Sequence, residues 1–268
     1  MTIKKPIRLS LSCLKKAKEE GRKITMLTAY DALTASIFDD AGIDGLLVGD
    51  SIGNVHLGYD TTLAVTVEDM VRATEAVFRG TKRCFIVADL PFGSYENTPE
   101  QAFESAVELI KAGASAVKLE GGARMAEHIK KLTTYGIPVI AHIGFTPQSE
   151  NVIGGKKIQG KTQLEAEAIV NDAKVAEDSG ASAILLEMIP SSVTSWIQEV
   201  ISIPTIGIGA GSDTDAQILV WADMAGMTEW SPSFAKQFGD LGAQLHRATS
   251  NYIEEVREGT FPSEKYSF

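Results

Sequence analysis

The sequence predicts an α/β protein, a (β/α)₈ TIM barrel with an N-terminal helix and a helical C-terminal extension. Eight short apolar runs alternate with helical stretches through most of the 268 residues, as parallel strands and crossover helices do. Four of these runs end on an acidic residue. The length and the 44% apolar content suffice for one large core, so we predict a single domain over residues 1–268.

The first half of the chain contains the N-terminal helix and four of the strands. The helix is predicted over 10–20, with Ser10 as a possible N-cap and Gly21 at its end. Pro99 begins a later helix, in a first turn where proline is tolerated. The strands are predicted at 24–30, 45–50, 84–89 and 115–120, and the helices at 31–41, 67–79 and 99–112.

The second half continues the alternation and ends in helix. The strands are predicted at 138–143, 182–187, 204–209 and 217–224, the helices near 123–134 and 162–179, and a mainly helical end over 233–258. The last strand, QILVWADM, could instead begin as a helix. Two long connections, 51–66 and 144–161, follow strands at the end of the barrel where loops usually carry function.

Charge and cysteine content narrow the class of function. Twenty-five basic and 35 acidic residues give a formal charge of −10, which argues against nucleic acid and anionic membranes as partners but not against small anionic substrates. Cys13 and Cys84 form no CxxC motif, so we expect no disulfide and a cytoplasmic location. We also expect no signal peptide and no membrane-spanning segment, because no apolar stretch is long enough.

Four acidic residues, Asp50, Asp89, Glu120 and Glu187, end four of the predicted strands. In a parallel barrel the carboxyl ends of the strands meet at one mouth, so we expect these carboxylates to converge there. Asp50 and Asp89 are the best candidates for a Mg²⁺ site, because Mg²⁺ takes one or two carboxylates and keeps water or substrate oxygens elsewhere. The alternative is that each acid caps a helix or closes a turn; the presence of Glu120 favours the metal.

Further side chains at strand ends could take part in the chemistry. Lys118 and Glu120 are two positions apart, so they share one face of a strand, either as a structural ion pair or, as we prefer, as part of a site. His142 is either a hydrogen-bonded core residue or a functional group. Glu187 precedes the apolar segment MIP, which would raise its pKa and suit a general base, although it too could cap a helix.

Two glycine-rich segments have alternative interpretations. GIGAG (207–211) is not a GxGxxG fingerprint, and it either cradles a phosphate or forms a tight turn near a ligand. GGKKIQGK (154–161) lacks the order of a Walker motif. Its two lysines could meet an acidic substrate group, but their spacing alone favours an exposed loop.

At these residues the chain resembles the ketopantoate hydroxymethyltransferases, from about residue 5 to the C-terminus. The matching stretches are MLTAYD (26–31), LLVGDSIGNVHLGYDTTLAVT (46–66), VADLPFGSY (87–95), AVKLEGG (116–122), HIGFTPQS (142–149), GGKKIQGK (154–161), ILLEMIP (184–190), GIGAG (207–211) and the closing FPSEKYSF. So many matches in one order are far more specific than any single motif.

The resemblance implies a Mg²⁺-dependent enzyme that transfers a hydroxymethyl group from 5,10-methylenetetrahydrofolate to 3-methyl-2-oxobutanoate. The product would be 2-dehydropantoate, on the route to pantothenate. Glu187 takes the place of the proton acceptor, and a homo-oligomer, usually a decamer in bacteria, is implied as well. The implied keto-acid contacts are Asp50, Ser51, Asp89, Lys118 and His142, and the implied metal residues are Asp50, Asp89 and Glu120.

Two other functions remain possible at this point. One is another Mg²⁺-dependent barrel enzyme acting on 2-oxo acids, such as a carbon–carbon lyase or a phosphoenolpyruvate mutase relative. Such lyases commonly use a cysteine on a mobile loop, whereas Cys84 begins a strand and Cys13 precedes the barrel. The other is a non-catalytic barrel, because Ser212, Ala216 and Ala222 stand where the family commonly has Asn, Gly and His.

Overall fold

The computed structural model describes residues 8–228 and 230–268. Eight parallel strands form a closed barrel in which each strand pairs with the next along the chain, which confirms the predicted fold class. The strands are β1 (Ile24–Thr28), β2 (Gly45–Val48), β3 (Phe85–Asp89), β4 (Ala116–Glu120), β5 (Val139–Gly144), β6 (Ala183–Glu187), β7 (Thr205–Ile208) and β8 (Ala216–Leu219).

Helices precede the barrel, connect its strands and follow it. They are α1 (Ser12–Glu19), α2 (Ala32–Ala41), α3 (Val67–Gly80), α4 (Pro99–Lys111), α5 (Ala126–Thr134), α6 (Glu150–Ile153), α7 (Gln163–Asp178), α8 (Ser191–Val200), α9 (Trp221–Ala225) and α10 (Leu241–Glu258). Single helical turns cover Gly53–Leu57, Thr62–Ala64, Ala123–Met125, Pro147–Ser149 and Glu264–Tyr266.

Local capping chemistry explains why several helices begin where the sequence predicts. Thr66 and Thr162 each form a reciprocal capping box, with Asp69 and Glu165 three residues further on. Asp31 accepts backbone N–H groups from the first turn of α2. The predicted helix at 10–20 is present as α1, but Ser10 is not its N-cap, because Leu11 occupies that position and makes no side-chain bond there.

The second half of the chain departs from the prediction in three places. The strand predicted at 217–224 ends at Leu219 and its second half forms α9, because a short, uniformly apolar run does not distinguish a strand from a buried helix. The helix α8 was not predicted; it begins directly after Pro190 with the residues SSVTS, which favour turns as much as helix. The last long helix begins at Leu241, and residues 233–240 are not helical.

The amino end of the barrel is filled by apolar side chains. Leu14 and Ala17 of α1 are fully buried against this cluster, so the N-terminal helix packs where the strands begin. The strand residues of the cluster are Ile24, Met26, Leu47, Phe85, Val87, Ala116, Ile140, Ala183, Leu185, Ile206, Ala216 and Ile218. The four predicted acids lie at the opposite end, where the strands finish.

The chain divides into two compact units, Met1–Ile218 and Leu219–Phe268. The first contains α1 and the barrel strands with helices α2 to α8, and the second contains α9 and α10. The single domain over 1–268 remains a prediction, and its residues 1–7 and 229 lie outside the described residues. Over the part of the chain that the structure describes, no helix is both long and apolar enough to cross a membrane.

Asp39 of α2 joins this helix to the segment that enters β3. Its carboxylate accepts the backbone N–H groups of Lys82, Arg83 and Cys84 at 2.7–3.0 Å. Burial alone would raise the pKa of Asp39, but these hydrogen bonds lower it below its ordinary value. The charged form is therefore the one that stabilises the fold.

We expect Asp39→Ala to lower the free energy of unfolding by about 2–4 kcal/mol, because three backbone donors lose a charged acceptor. Urea unfolding at pH 7 measures the loss, and Asp40→Ala on the exposed side of α2 is the matched control. The difference between the two variants should shrink as the pH falls below about 4, since the parent carboxylate then becomes protonated. Equal stability of both variants at pH 7 would contradict this role.

Candidate active site

The predicted acids lie at the carboxyl ends of the strands, as the barrel topology requires. Asp89, Glu120 and Glu187 are the last residues of β3, β4 and β6, and Asp50 follows β2 by two residues. Asp50, Asp89 and Glu120 are each less than 5% exposed. His142 lies within β5, and direct contacts join it to two of these acids.

Lys118 lies between an acid and a histidine. Its Nζ is 3.2 Å from Asp89 Oδ1 and 3.3 Å from His142 Nδ1. Strand register explains the first contact, because Asp89 is opposite Lys118. The second contact is diagonal, because His142 is opposite Glu120, two residues further along β4. Glu120 Oε1 is 3.6 Å from His142 Nδ1, so Lys118 and Glu120 meet the same imidazole and share one face of β4, as the alternation predicted.

His142 connects this group to Glu187. Its Nε2 is 3.2 Å from Glu187 Oε2, although the two atoms are not aligned as a hydrogen bond. Burial and the charge of Lys118 lower the pKa of His142 well below its ordinary value, so the imidazole is neutral. Because an ammonium group only donates, we assign Nδ1 as the acceptor from Lys118 and place the proton on Nε2, beside Glu187.

A direct hydrogen bond joins Asp50 and Asp89. The backbone N–H of Asp50 donates to Asp89 Oδ2 at 3.0 Å, and the next residue, Ser51, makes a 2.8 Å hydrogen bond through its hydroxyl to Tyr30. A side chain at Gly49 would approach Ser51 Oγ to 2.8 Å, so it would displace the Ser51 hydroxyl from its present position. The seven predicted site residues are therefore neighbours in the structure.

The helix-capping alternative is wrong for the four acids. The helices that follow β2 and β3 are capped by Thr66 and Thr98. Neither α5 nor α8 has a side-chain hydrogen bond at its N-cap, where Met125 and Pro190 stand. The carboxylates at the ends of β4 and β6 are thus not used for capping either.

Three neutral residues of the site were not predicted. Gln148 donates from Nε2 to Asp50 Oδ2 at 2.8 Å, and Tyr95 donates to Gln148 Oε1 at 2.6 Å. Tyr30 bonds Ser51. All three lie in motifs that carried the family resemblance, namely MLTAYD, VADLPFGSY and HIGFTPQS. Tyr95 and Gln148 lie in connections, where no period or strand end marks an uncharged side chain. Tyr30 ends the predicted strand 24–30, but it carries no charge that would single it out.

The site combines one retained positive charge with acids that resist ionisation. Burial raises the pKa of Asp89 and of Glu120, against the opposing charge of Lys118. Burial alone would lower the pKa of Lys118, but Asp89, Glu120 and Asp50 together raise it above its ordinary value. The lysine therefore keeps its proton and partly neutralises an acidic pocket.

Glu187 has the pKa that a general base needs. Its side chain is 16% exposed, so solvent reaches its edge. Burial nevertheless raises the pKa of Glu187 to about 7, against the opposing charges of Lys118 and Lys156. A carboxylate that titrates near neutrality both accepts a proton efficiently and is present in its charged form.

Several buried atoms of the site lack an aligned hydrogen bond. They are Asp89 Oδ1, Glu120 Oε1 and His142 Nε2. Buried polar atoms are almost always bonded, so a group of unbonded ones indicates a place for a ligand. Within 8–228 and 230–268, no three His, Cys, Asp or Glu side chains are placed so that together they could hold a metal ion. The metal assignment of Asp50, Asp89 and Glu120 therefore remains a prediction.

The two glycine-rich segments differ in their surroundings. In GIGAG the carbonyl of Ala210 accepts the hydroxyl of Thr194 at 2.7 Å, and the carbonyl of Gly211 accepts Gln217 Nε2 at 2.8 Å. Gly209 and Gly211 have positive φ angles of 61° and 82°, as residues of a tight turn do. Lys156 and Lys157 are exposed, as their spacing favoured. Lys156 lies close enough to lower the pKa of Glu187.

Comparison with known proteins identifies close relatives by sequence. The family model described as ketopantoate hydroxymethyltransferase matches residues 8–264. A 3-methyl-2-oxobutanoate hydroxymethyltransferase of Thermobifida fusca is 53% identical over 97% of this chain and 94% of its own. Proteins with the same name from Leifsonia xyli and Clostridium novyi are 52% and 51% identical, covering 98% and 97% of this chain and 95% of each relative.

Solved structures resemble the chain in fold. A phosphonopyruvate hydrolase, solved with oxalate and Mg²⁺, has a TM-score of 0.63 with 16% identity over 96% of this chain and 93% of that one. A 2,3-dimethylmalate lyase of the PEP mutase/isocitrate lyase superfamily has a TM-score of 0.61 with 17% identity over 98% and 93%. At such identities the likeness concerns the barrel alone.

Proposed function

The chain belongs to the ketopantoate hydroxymethyltransferase family, and from this premise we propose that it transfers a hydroxymethyl group from 5,10-methylenetetrahydrofolate to 3-methyl-2-oxobutanoate with the help of Mg²⁺. The product is 2-dehydropantoate, a precursor of pantothenate. The observation that carries the proposal is Glu187, whose pKa is raised to about 7 at a mouth that also holds Lys118 and two neighbouring aspartates.

Each side chain has a role that its surroundings support. Glu187 takes the proton from C3 of the keto acid, and the neutral imidazole of His142 lies 3.2 Å from that carboxylate. Lys118 balances the negative charge that develops on the keto-acid oxygens. Water supplies the oxygen of the new group by opening the methylene bridge of the folate to a hydroxymethyl on one of its nitrogens. C3 then bonds to this carbon as the bond from the carbon to nitrogen breaks, the nitrogen takes a proton, and tetrahydrofolate leaves. Ser51 lies beside Asp50 and offers a hydroxyl to the substrate.

Asp50 and Asp89, with Glu120 near them, would hold Mg²⁺. The donor set suits this ion, since carboxylate oxygens are available and at least Asp89 Oδ1 and Glu120 Oε1 lack an aligned hydrogen bond. An incomplete protein cage fits as well, because Mg²⁺ keeps positions for water and for substrate. When bound, the ion supplies Lewis-acid stabilisation of the charge formed as C3 loses its proton.

The direct test is product formation. Purified protein is mixed with 3-methyl-2-oxobutanoate, Mg²⁺ and methylenetetrahydrofolate, and 2-dehydropantoate is followed by mass spectrometry. We expect product only when all three are present. Absence of product from a protein that still binds the keto acid would defeat the proposal.

The two alternative functions, a lyase-type barrel enzyme and a non-catalytic barrel, lose support. Burial, and next the negative charge of Asp39, raise the pKa of the Cys84 thiol to about 12, so Cys84 is a poor acid or nucleophile for a lyase. The carbonyl of Ser212 is bonded by Lys23, just before β1, and Ala216 is buried in the core cluster. Ser212 and Ala216 thus lie towards the amino end of the barrel, whereas the acids lie at its carboxyl end.

We expect the rate of C3 proton exchange at low keto-acid concentration to rise with pH around 7 and then level off. Glu187 accepts a proton only when ionised, and the pKa of its carboxyl is raised to about 7, so the active fraction grows as the pH passes that value. Exchange of the C3 proton into deuterated water, followed by NMR from pH 5 to 9, gives the profile. A rise near the ordinary glutamate value of about 4.3 would assign the base elsewhere.

We also propose that the protein is a homo-oligomer. None of the residues of α10 is buried within the chain, and Leu241, Leu245, Ile253 and Val256 are 40–57% exposed along it. Apolar stripes of this kind are normally covered by another surface. A second copy is the occupant that the family resemblance supports, and light scattering on the purified chain should give a mass several times the 28.7 kDa of one subunit.

A further inference from the structure

Gln148 links the ends of several strands at the mouth of the barrel. It follows β5, and only 6% of it is exposed. Its Nε2 donates to Asp50 Oδ2 at 2.8 Å and to the carbonyl of Leu90 at 3.0 Å. Its Oε1 accepts the hydroxyl of Tyr95 at 2.6 Å, and its backbone N–H donates to Glu120 Oε2 at 3.0 Å. One residue thus contacts the segments that end β2, β3 and β4.

The orientation of this amide is determined by its partners. Asp50 Oδ2 and the Leu90 carbonyl only accept, so they require the NH₂ end of Gln148. The hydroxyl oxygen of Tyr95 accepts the backbone N–H of Glu120 at 3.1 Å, so its proton is free to be donated to Gln148 Oε1. A flipped amide would set its oxygen against two acceptors. The bonds therefore run in one direction, from Glu120 N–H through Tyr95 and Gln148 to Asp50.

Gln148 donates a hydrogen bond to one oxygen of each of two carboxylates. On Glu120 it takes Oε2, while Oε1 has no aligned hydrogen bond. On Asp50 it takes Oδ2 through a neutral donor. A lysine here would cancel the charge that a cation needs, and a glutamate would repel the carboxylate. A glutamine orients the acid and leaves its charge in place.

We propose that Gln148 is a positioning residue that orients the carboxylate of Asp50 for the divalent cation, with Tyr95 as its anchor. This inference rests on the proposed function, since the cation is the one assigned there. Residues that orient metal ligands typically contribute 10- to 100-fold to metal affinity or activity, about as much as we expect from Gln148.

The test measures metal binding as well as activity. Mn²⁺, a probe for the Mg²⁺ site, is titrated calorimetrically into the full-length parent and into Gln148→Met, with and without keto acid. Methionine has a similar length but lacks the amide donors. We expect the Mn²⁺ dissociation constant to rise about 10- to 100-fold, whereas the maximal exchange rate at saturating metal should fall far less. Tyr95→Phe leaves the amide of Gln148 intact but removes the hydroxyl that donates to Gln148 Oε1. It should weaken Mn²⁺ binding less than Gln148→Met does.

Gln163→Met is the matched control. Gln163 also donates to a carboxylate at 2.8 Å, that of Glu167, but on the exposed surface of α7. It should bind Mn²⁺ like the parent. Parent-like Mn²⁺ affinity in folded Gln148→Met would overturn the positioning role. If Gln148→Met does not fold, parent-like Mn²⁺ affinity in Tyr95→Phe would overturn it instead. A parent protein that exchanges no C3 proton would instead defeat the proposed function itself.

Discussion

Glu187→Gln should retain keto-acid binding but slow exchange of the C3 proton about a hundredfold or more, within the usual contribution of a general base. The amide keeps the size of the side chain and its place beside His142, but it accepts no proton at neutral pH. NMR in deuterated water measures the exchange, and calorimetry measures keto-acid binding on the same samples.

Glu199→Gln is the control for this substitution. Glu199 is exposed on α8, the helix that follows the strand of Glu187. Its variant should exchange the C3 proton like the parent. If Glu187→Gln also exchanges at the parent rate, another group removes the proton, and the assignment of the base is wrong.

Asp50→Ala should weaken Mg²⁺ and keto-acid binding together, each by about a hundredfold or more, since a proposed ligand is lost rather than a residue that only orients one. The coupling follows from the proposed geometry, in which the keto acid binds through the ion. The substitution also leaves Gln148 Nε2 without its charged acceptor. Calorimetric titration of the metal, and of the keto acid at saturating metal, gives the two constants.

Asp60→Ala is the matched control, because Asp60 is an exposed acid in the same connection after β2. It should leave both constants unchanged. Loss of keto-acid affinity with normal metal affinity would place Asp50 at the substrate rather than at the metal. Parent-like values for both ligands would remove Asp50 from the site.

The difference between these two variants separates the roles within one pocket. Glu187→Gln should affect the proton transfer step and Asp50→Ala should affect binding, although His142, Lys118 and Asp89 connect the two acids through contacts of 3.0–3.3 Å. A site in which both variants lost everything equally would indicate a structural network rather than divided chemistry.

Strand positions were predictable because their signals are local. Each of the eight strands overlaps a predicted apolar run, and capping residues such as Thr66 and Thr162 mark where helices begin. The predictions failed where such signals are absent, or where a strand and a helix would show the same signal. The segment 217–224 is uniformly apolar, and α8 opens with turn-favouring residues.

By itself, the sequence determined the barrel, the mouth where the acids converge and the shared face of Lys118 and Glu120, because parallel topology sends every strand end to one side and strand alternation assigns the faces. Only the tertiary structure decided which atoms meet. Gln148 reaches Asp50 from 98 positions away, and Tyr95 reaches Glu120 from 25. Loop paths bring such neutral residues together, and no local pattern in the chain encodes the path of a loop.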